Sequence, residues 1–101
     1  MVINNYITTY YIGLNDKDLK IQLLDTKECI QFVKILIKEN TDIEAYSLDV
    51  MQGCYKGIVE TTITIMLVDN TFPKCLIDLL KRELNQECIM EVVTPCNVKF
   101  I

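Results

Sequence analysis

Hydrophobic and polar positions in this chain follow two rhythms. From Val59 to Val68 successive residues change side, so that Val59, Thr61, Ile63, Ile65 and Leu67 share one face and Glu60, Thr62, Thr64 and Met66 the other. The stretch from Ile43 to Gln52 alternates in the same way, with Tyr46, Leu48 and Val50 opposite Ala45, Ser47, Asp49 and Met51. Period two belongs to a strand with one buried face. Between the two stretches lies Gly53-Cys54-Tyr55-Lys56-Gly57, short and bracketed by glycines, which predicts a hairpin loop. The earlier run Tyr6-Ile-Thr-Thr-Tyr-Tyr-Ile12 is dense in β-branched and aromatic residues and predicts a first strand. Tyr46 faces the core in this reading, as must one of Tyr10 and Tyr11.

The second rhythm is helical. Cys29, Val33, Leu36 and Ile37 recur at helical spacing, with Ile30 widening the apolar face, and predict a helix from Thr26 to Glu39. Asp25 or Thr26 caps it, Asp25 with Glu28 resembles a capping box, and Asn40 stops it. Leu76, Ile77, Leu80 and Leu84 form the stripe of a second helix. Asn70 or Thr71 caps that helix, Pro73 is tolerated in its first turn, and Lys81 and Arg82 suit its C-terminal end. Gly13 to Asp18 reads as a turn, and Lys20 to Leu24 as a short extended piece. Cys88 to Thr94 reads as a last strand broken by Pro95, with Val98 to Ile101 as a short edge segment. The order is β-α-β-β-α-β. It predicts the α+β ferredoxin-like fold, a four-stranded antiparallel sheet with two helices on one face.

Composition narrows the picture further. A chain of 101 residues, 50% hydrophobic and 24% charged, predicts a single globular domain over residues 1–101. The net charge of −4 and the lack of any basic run beyond Lys81-Arg82 argue against a nucleic-acid partner. The dense carboxylate rows of a nucleic-acid mimic are missing too. Met1-Val2-Ile3-Asn4-Asn5 does not look like a signal peptide, and no apolar run approaches the roughly 20 residues of a membrane span. A cytoplasmic location with no membrane association is the expectation. The five cysteines, Cys29, Cys54, Cys75, Cys88 and Cys96, contain no CxxC and read as buried thiols in a reducing compartment.

Histidine is absent, which removes the commonest general base and metal ligand and with them any Cys-His or Ser-His-Asp site. No phosphate-cradling glycine motif occurs. The expectation is therefore a protein that is no enzyme, with no catalytic, cofactor-binding or metal-binding residues. Asp16 and Asp18 flank Lys17 and read as a solvated turn, or alternatively as a divalent-ion or partner site. The local sequence supplies few oxygen ligands, against the six or more such an ion takes. Tyr55 and Lys56 at the hairpin tip are the other candidates for partner binding, unless the tyrosine folds back over the sheet end. The open sheet face carries Thr62, Thr64, Ser47, Asp49 and Glu91, interrupted by Met51, Met66 and Val68. A face so mixed suggests a homodimer through the sheet or an edge strand.

Gly13-Leu-Asn-Asp-Lys-Asp-Leu-Lys-Ile-Gln22, the hairpin with Gly53 and Tyr55, Glu60-Thr61-Thr62 and Leu84-Asn-Gln-Glu87 together resemble small uncharacterised proteins of phages and mobile elements in low-GC Gram-positive bacteria. The resemblance spans nearly the whole chain and rests on turns and caps. It implies an accessory protein that binds a host protein, such as a component of a defence system. The alternative is a dimeric small-molecule-sensing domain with its ligand near Gly13 to Asp18, an idea carried by fold analogy.

Overall fold

The computed structural model describes residues 4–101. The reading of Met1 to Ile3 lies outside them. The elements are β1 (Asn5–Gly13), α1 (Thr26–Asn40), β2 (Ser47–Tyr55), β3 (Ile58–Val68), α2 (Lys74–Glu83) and β4 (Met90–Cys96). The strands form one sheet in the order β2-β3-β1-β4, and every pairing is antiparallel. This is the ferredoxin-like arrangement the alternation predicts.

Register explains the core. Tyr10 lies opposite Ile65 and Ile12 opposite Ile63, so the side chains buried against the helices come from one parity of each strand. They meet Cys29, Val33, Leu36 and Ile37 of α1 and Leu76 and Leu80 of α2. Each fully buried Ile or Leu contributes about 1.5–3 kcal/mol. Thr8 is fully buried on the same parity, its hydroxyl without a partner, and Tyr10 is the other polar side chain there. Its ring stacks on Phe72 at 4.4 Å, its hydroxyl accepts from the Phe72 N–H at 2.9 Å, and it donates to Glu91 at 2.7 Å. Burial first, and the Glu91 carboxylate second, push the phenol up to about 12.

The helix ends follow local chemistry. Asp25 caps α1 by accepting from the Lys27 N–H at 3.1 Å, as expected, and Asn40 ends the helix by bonding back to the Leu36 carbonyl at 2.9 Å. At α2 the expected caps do not act. Asn70 accepts from the neighbouring Thr71 N–H, and Pro73 itself stands at the cap position without a side-chain bond.

Four further expectations need correction. Strand β2 starts at Ser47 and not at Ile43, because Thr41 bonds the Ile37 carbonyl and accepts from the Ile43 N–H, which turns the chain there. Gly53, Cys54 and Tyr55 belong to β2, and the loop is the two residues Lys56 and Gly57, both at positive φ (51° and 79°). That is the backbone a tight hairpin turn demands. Strand β4 runs through Pro95, which an edge strand tolerates, while residues 97–101 form no strand. Among the cysteines, all free, only Cys29 is buried, whereas Cys54, Cys75 and Cys88 are exposed and Cys96 lies between. A small thiol can occupy a surface position at little cost, so its presence does not mark the core.

Candidate functional site

Strand β1 pairs with β3 from Ile7 opposite Val68 to Gly13 opposite Thr62, and there it stops. The hairpin does not stop. Residues 58–61 stay paired with 52–55 beyond the end of β1. Two contacts brace this overhang: the Leu14 N–H donates to the Thr61 carbonyl at 3.0 Å, and the Asn15 side-chain amide to the Val59 carbonyl at 3.3 Å. The tip then reaches the residues just before β4. The Tyr55 hydroxyl donates to Glu87 at 3.2 Å, and the Lys56 ammonium pairs with the same carboxylate at 3.5 Å. The hairpin from one edge of the sheet therefore meets the start of the strand at the other edge.

This curl encloses a cleft of about 670 Å³ on the face turned away from the helices. Its size is within the range of small-molecule sites, about 300–1,000 Å³. Tyr11, Gly13, Glu60 and Thr62 of the two central strands line it, together with the apolar and aromatic Met51, Tyr55, Ile58 and Met90. The 15–20 loop contributes Lys17 and Lys20, and Glu87 lines it as well.

Glu60 is held in an unusual way. Its carboxyl group rests on the α-carbon of Gly13, where a methyl group would overlap the carboxyl carbon and both oxygens. One oxygen accepts from the Asn15 N–H at 2.9 Å. The Gln86 side chain fixes that loop by donating to the Asn15 carbonyl at 2.7 Å. On the neighbouring strand Gly53 presents no side chain either, and a Cβ there would come within 3.1 Å of the Thr62 hydroxyl. Two glycines on one face hollow the site.

The sequence-predicted residues fall around this cleft in two groups. Asp16 accepts from the N–H groups of Asp18 and Leu19, at 3.0 and 2.9 Å, and from the Asn85 side-chain amide at 2.7 Å; Asp18 accepts from the same amide at 3.0 Å. The Asn85 bond, then the backbone donors, hold the Asp16 carboxyl below its usual value. The pair thus fastens the loop to the end of α2. Tyr55 and Lys56 close the cleft through Glu87. The Lys56 charge and the Tyr55 hydroxyl draw the Glu87 carboxyl below its usual range, and Glu87 holds Lys56 above its own. Glu91, expected on the open face, lies opposite Tyr10 and faces the helices, a parity that pairing with β1 decides.

Sequence reasoning missed Glu60 and Tyr11, whereas Gly13 opens the Gly13 to Asp18 segment where the sensing alternative puts its ligand. Glu60 reads as an ordinary polar residue of an alternating strand. The available signal is a glycine closing an aromatic strand with no turn of its own to make.

No protein-family model and no curated protein matches this sequence. Solved structures do. A phage SAM lyase in complex with S-methyl-5′-thioadenosine superposes with a TM-score of 0.66 at 15% identity, covering 94% of this chain and 84% of that one. A phage SAM lyase in the apo state gives 0.64 at 16% identity, covering 89% and 79%. The likeness shows a shared fold, and the neighbours are phage proteins, in line with the phage part of the resemblance. It also corrects the expectation of a protein that is no enzyme, because these neighbours are enzymes. A missing histidine excludes sites that need an imidazole. It does not exclude reactions whose substrate carries its own reacting groups. Among the described residues no helix is long and apolar enough to cross a membrane.

Proposed function

We propose that this chain binds S-adenosylmethionine in the cleft on its open sheet face and cleaves it to S-methyl-5′-thioadenosine. The observation that carries the reading is Glu60: a carboxylate pinned in a cleft with aromatic and apolar walls, in a fold whose neighbours are phage SAM lyases. Such a site suits a ligand with one positive charge on an apolar and aromatic body. The sulfonium of S-adenosylmethionine is that charge, and Tyr11 lines the cleft with a ring of the kind that attracts cations, as Tyr55 does the Lys56 ammonium 5.2 Å from its centroid.

The chemistry asks little of the protein. The bond between the sulfonium sulfur and the γ-carbon of the amino-acid arm breaks, and its electron pair stays on sulfur as a neutral thioether. The substrate's own carboxylate attacks the γ-carbon and closes a lactone, so no water, nucleophilic side chain or imidazole takes part. What the cleft supplies is a folded substrate and exclusion of water, the usual benefits of holding reacting atoms in line. In this reading the protein counters host defence by removing a metabolite that defence enzymes need. Incubating the purified protein with S-adenosylmethionine tests it. Appearance of S-methyl-5′-thioadenosine and homoserine lactone in equal amounts supports it. Tight binding without cleavage would instead favour the sensing alternative, and no binding would reject both.

Docking on a host protein through Tyr55 and Lys56, with Asp16 and Asp18 steering, is a separate proposal. So is a homodimer through the sheet face. Tyr55, Met51 and Met66 are 46%, 45% and 37% exposed, which favours contact with another surface. Recovery of a partner that Tyr55→Ala abolishes would support the first, and a solution mass twice that of the 11.7 kDa chain the second.

A further inference from the structure

We propose that Gly13 sets the charge selectivity of the cleft by seating the Glu60 carboxylate, so that the site prefers a sulfonium to the neutral thioether it becomes. This rests on the reading that the cleft takes S-adenosylmethionine.

Gly13 has no backbone reason to be glycine. It lies in β1, and among the described residues Gly57 is the glycine at positive φ. A glycine inside a strand weakens it and often marks the close approach of another group. Here that group is the carboxyl of Glu60, which occupies the volume a side chain at position 13 would fill. The Asn15 N–H takes one carboxylate oxygen at 2.9 Å, and Glu60 lines the cleft. Pinned at both points, the carboxylate no longer sweeps the rotamers open to a free glutamate. It meets a ligand already ordered, which lowers the entropy lost on binding.

The ion pairs among the described residues are Lys56–Glu87, Lys74–Asp78 and Arg82–Glu83, so no cationic side chain is paired with Glu60, and Lys17 and Lys20 line the same cleft without contacting it. A ligand cation supplies that charge. Cleavage then removes it, because the sulfonium becomes a thioether when the carbon–sulfur bond breaks. A fixed carboxylate holds the substrate more tightly than the product, and the product leaves. Gly13 touches no ligand in this account. It is a positioning residue.

Two probes separate charge from shape. Sinefungin carries an ammonium-bearing carbon at the sulfonium position and has no bond to cleave, whereas S-adenosylhomocysteine keeps the skeleton with a neutral sulfur. Calorimetric titration of the wild-type chain should show a preference for sinefungin of about tenfold or more, the scale of a charge-assisted contact. Gly13→Ala, which dislodges the carboxylate without removing it, should reduce the preference to about twofold, as should Glu60→Gln. The double variant should lose no more than either single one, because both act on one interaction. Affinity for S-adenosylhomocysteine should stay within about twofold throughout. Should Gly13→Ala fail to fold, Glu60→Asp carries the same expectation, since the shorter acid keeps its charge but cannot reach the seat. Retention of the full preference in the variant tested overturns the inference and leaves the cleft reading intact. So does equal loss of both probes, which marks a merely structural effect. A wild-type chain that binds neither probe overturns both.

Discussion

Tyr10 and Tyr11 are neighbours in β1, and the sheet sends them to opposite worlds. Tyr10 is fully buried against the helices, stacked on Phe72, with its hydroxyl both donating and accepting. Tyr11 lines the cleft on the open face beside Gly13, Thr62 and Met90. The same contrast runs through the whole sheet. On the helix side Ile12, Ile63, Ile65 and Leu67 fill space, with the buried Thr8 hydroxyl opposite Leu67 as a polar atom left without a partner. On the open side, glycines stand where strands disfavour them, and a carboxylate is clamped where no cationic side chain meets it. One face explains why the chain folds, and the other holds features that folding alone does not require.

The largest effect expected from that contrast is on the packed face. Ile65→Ala removes a fully buried side chain and should cost about 2–5 kcal/mol of stability. Denaturant melts would read the loss, while ligand affinity of the folded fraction stays unchanged. A fall in affinity without a fall in stability would break the division of labour between faces.

Next comes the open face. Glu60→Gln keeps the shape and an acceptor for the Asn15 N–H but removes the charge. Affinity for S-adenosylmethionine should drop roughly ten- to a hundredfold, since a hydrogen bond to a charged group contributes about 1.5–3 kcal/mol. The midpoint of thermal unfolding should move little. A large loss of stability would place Glu60 with the scaffold instead of the site.

How far these faces are legible in sequence depends on the range of the physics involved. Alternation in 59–68 and helical spacing in 26–39 are local and periodic, so they revealed the fold and most of the core. Sequence alone makes the hairpin loop too long, because a two-residue turn depends on Lys56 accepting positive φ, which composition does not announce. It gives Glu91 the wrong face, because parity in β4 is decided only by pairing with β1. The cleft itself was invisible. It arises where one hairpin outruns its neighbour and curls across the sheet to Glu87, a contact 31 residues from Lys56 along the chain. Gly13 and Glu60 gain meaning only once β1 and β3 are laid side by side.

A smaller effect sharpens the account of Tyr10. Its folded pKa of about 12 lies above the ordinary 10.0. A raised value means that the neutral form is favoured in the native state, so its contribution is intact below pH 10 and is lost as pH rises through about 12. Tyr55 is also held above its ordinary value, by burial and the Glu87 hydrogen bond, so the ultraviolet band of tyrosinate should show Tyr10 as the last of the five tyrosines to ionise, together with alkaline unfolding. Tyr10→Phe should abolish the late step and cost about 1–3 kcal/mol by leaving the buried Phe72 N–H without its acceptor. An alkaline titration in which all tyrosines ionise together, before unfolding, would contradict the packed environment.

The smallest effect belongs to the rim, where Tyr55 and Lys56 meet Glu87. All three groups face solvent, so their contact adds little to stability. Its consequence is for traffic through the cleft. Glu87 is depressed below the ordinary carboxylate value of 4.5, chiefly by the Lys56 charge, with Tyr55 adding a hydrogen bond. A depressed acid contributes above its ordinary value and stops as pH falls through the lowered one. Lys56 is raised, so its half of the contact holds below 10.5 and fails as pH climbs through the higher value. Between those limits the hairpin tip is fastened to the start of β4, and if the cleft takes a ligand as proposed, its exchange is expected to depend on that fastening. Glu87→Gln removes the charge and should speed ligand release by a few-fold, with equilibrium stability unchanged and with salt producing the same acceleration in the wild-type chain. Stopped-flow displacement of sinefungin would read it. A release rate indifferent to both the substitution and the salt would show that the curl of the overhanging hairpin keeps the cleft closed by its backbone alone, with the Tyr55–Glu87 contact as a passive consequence.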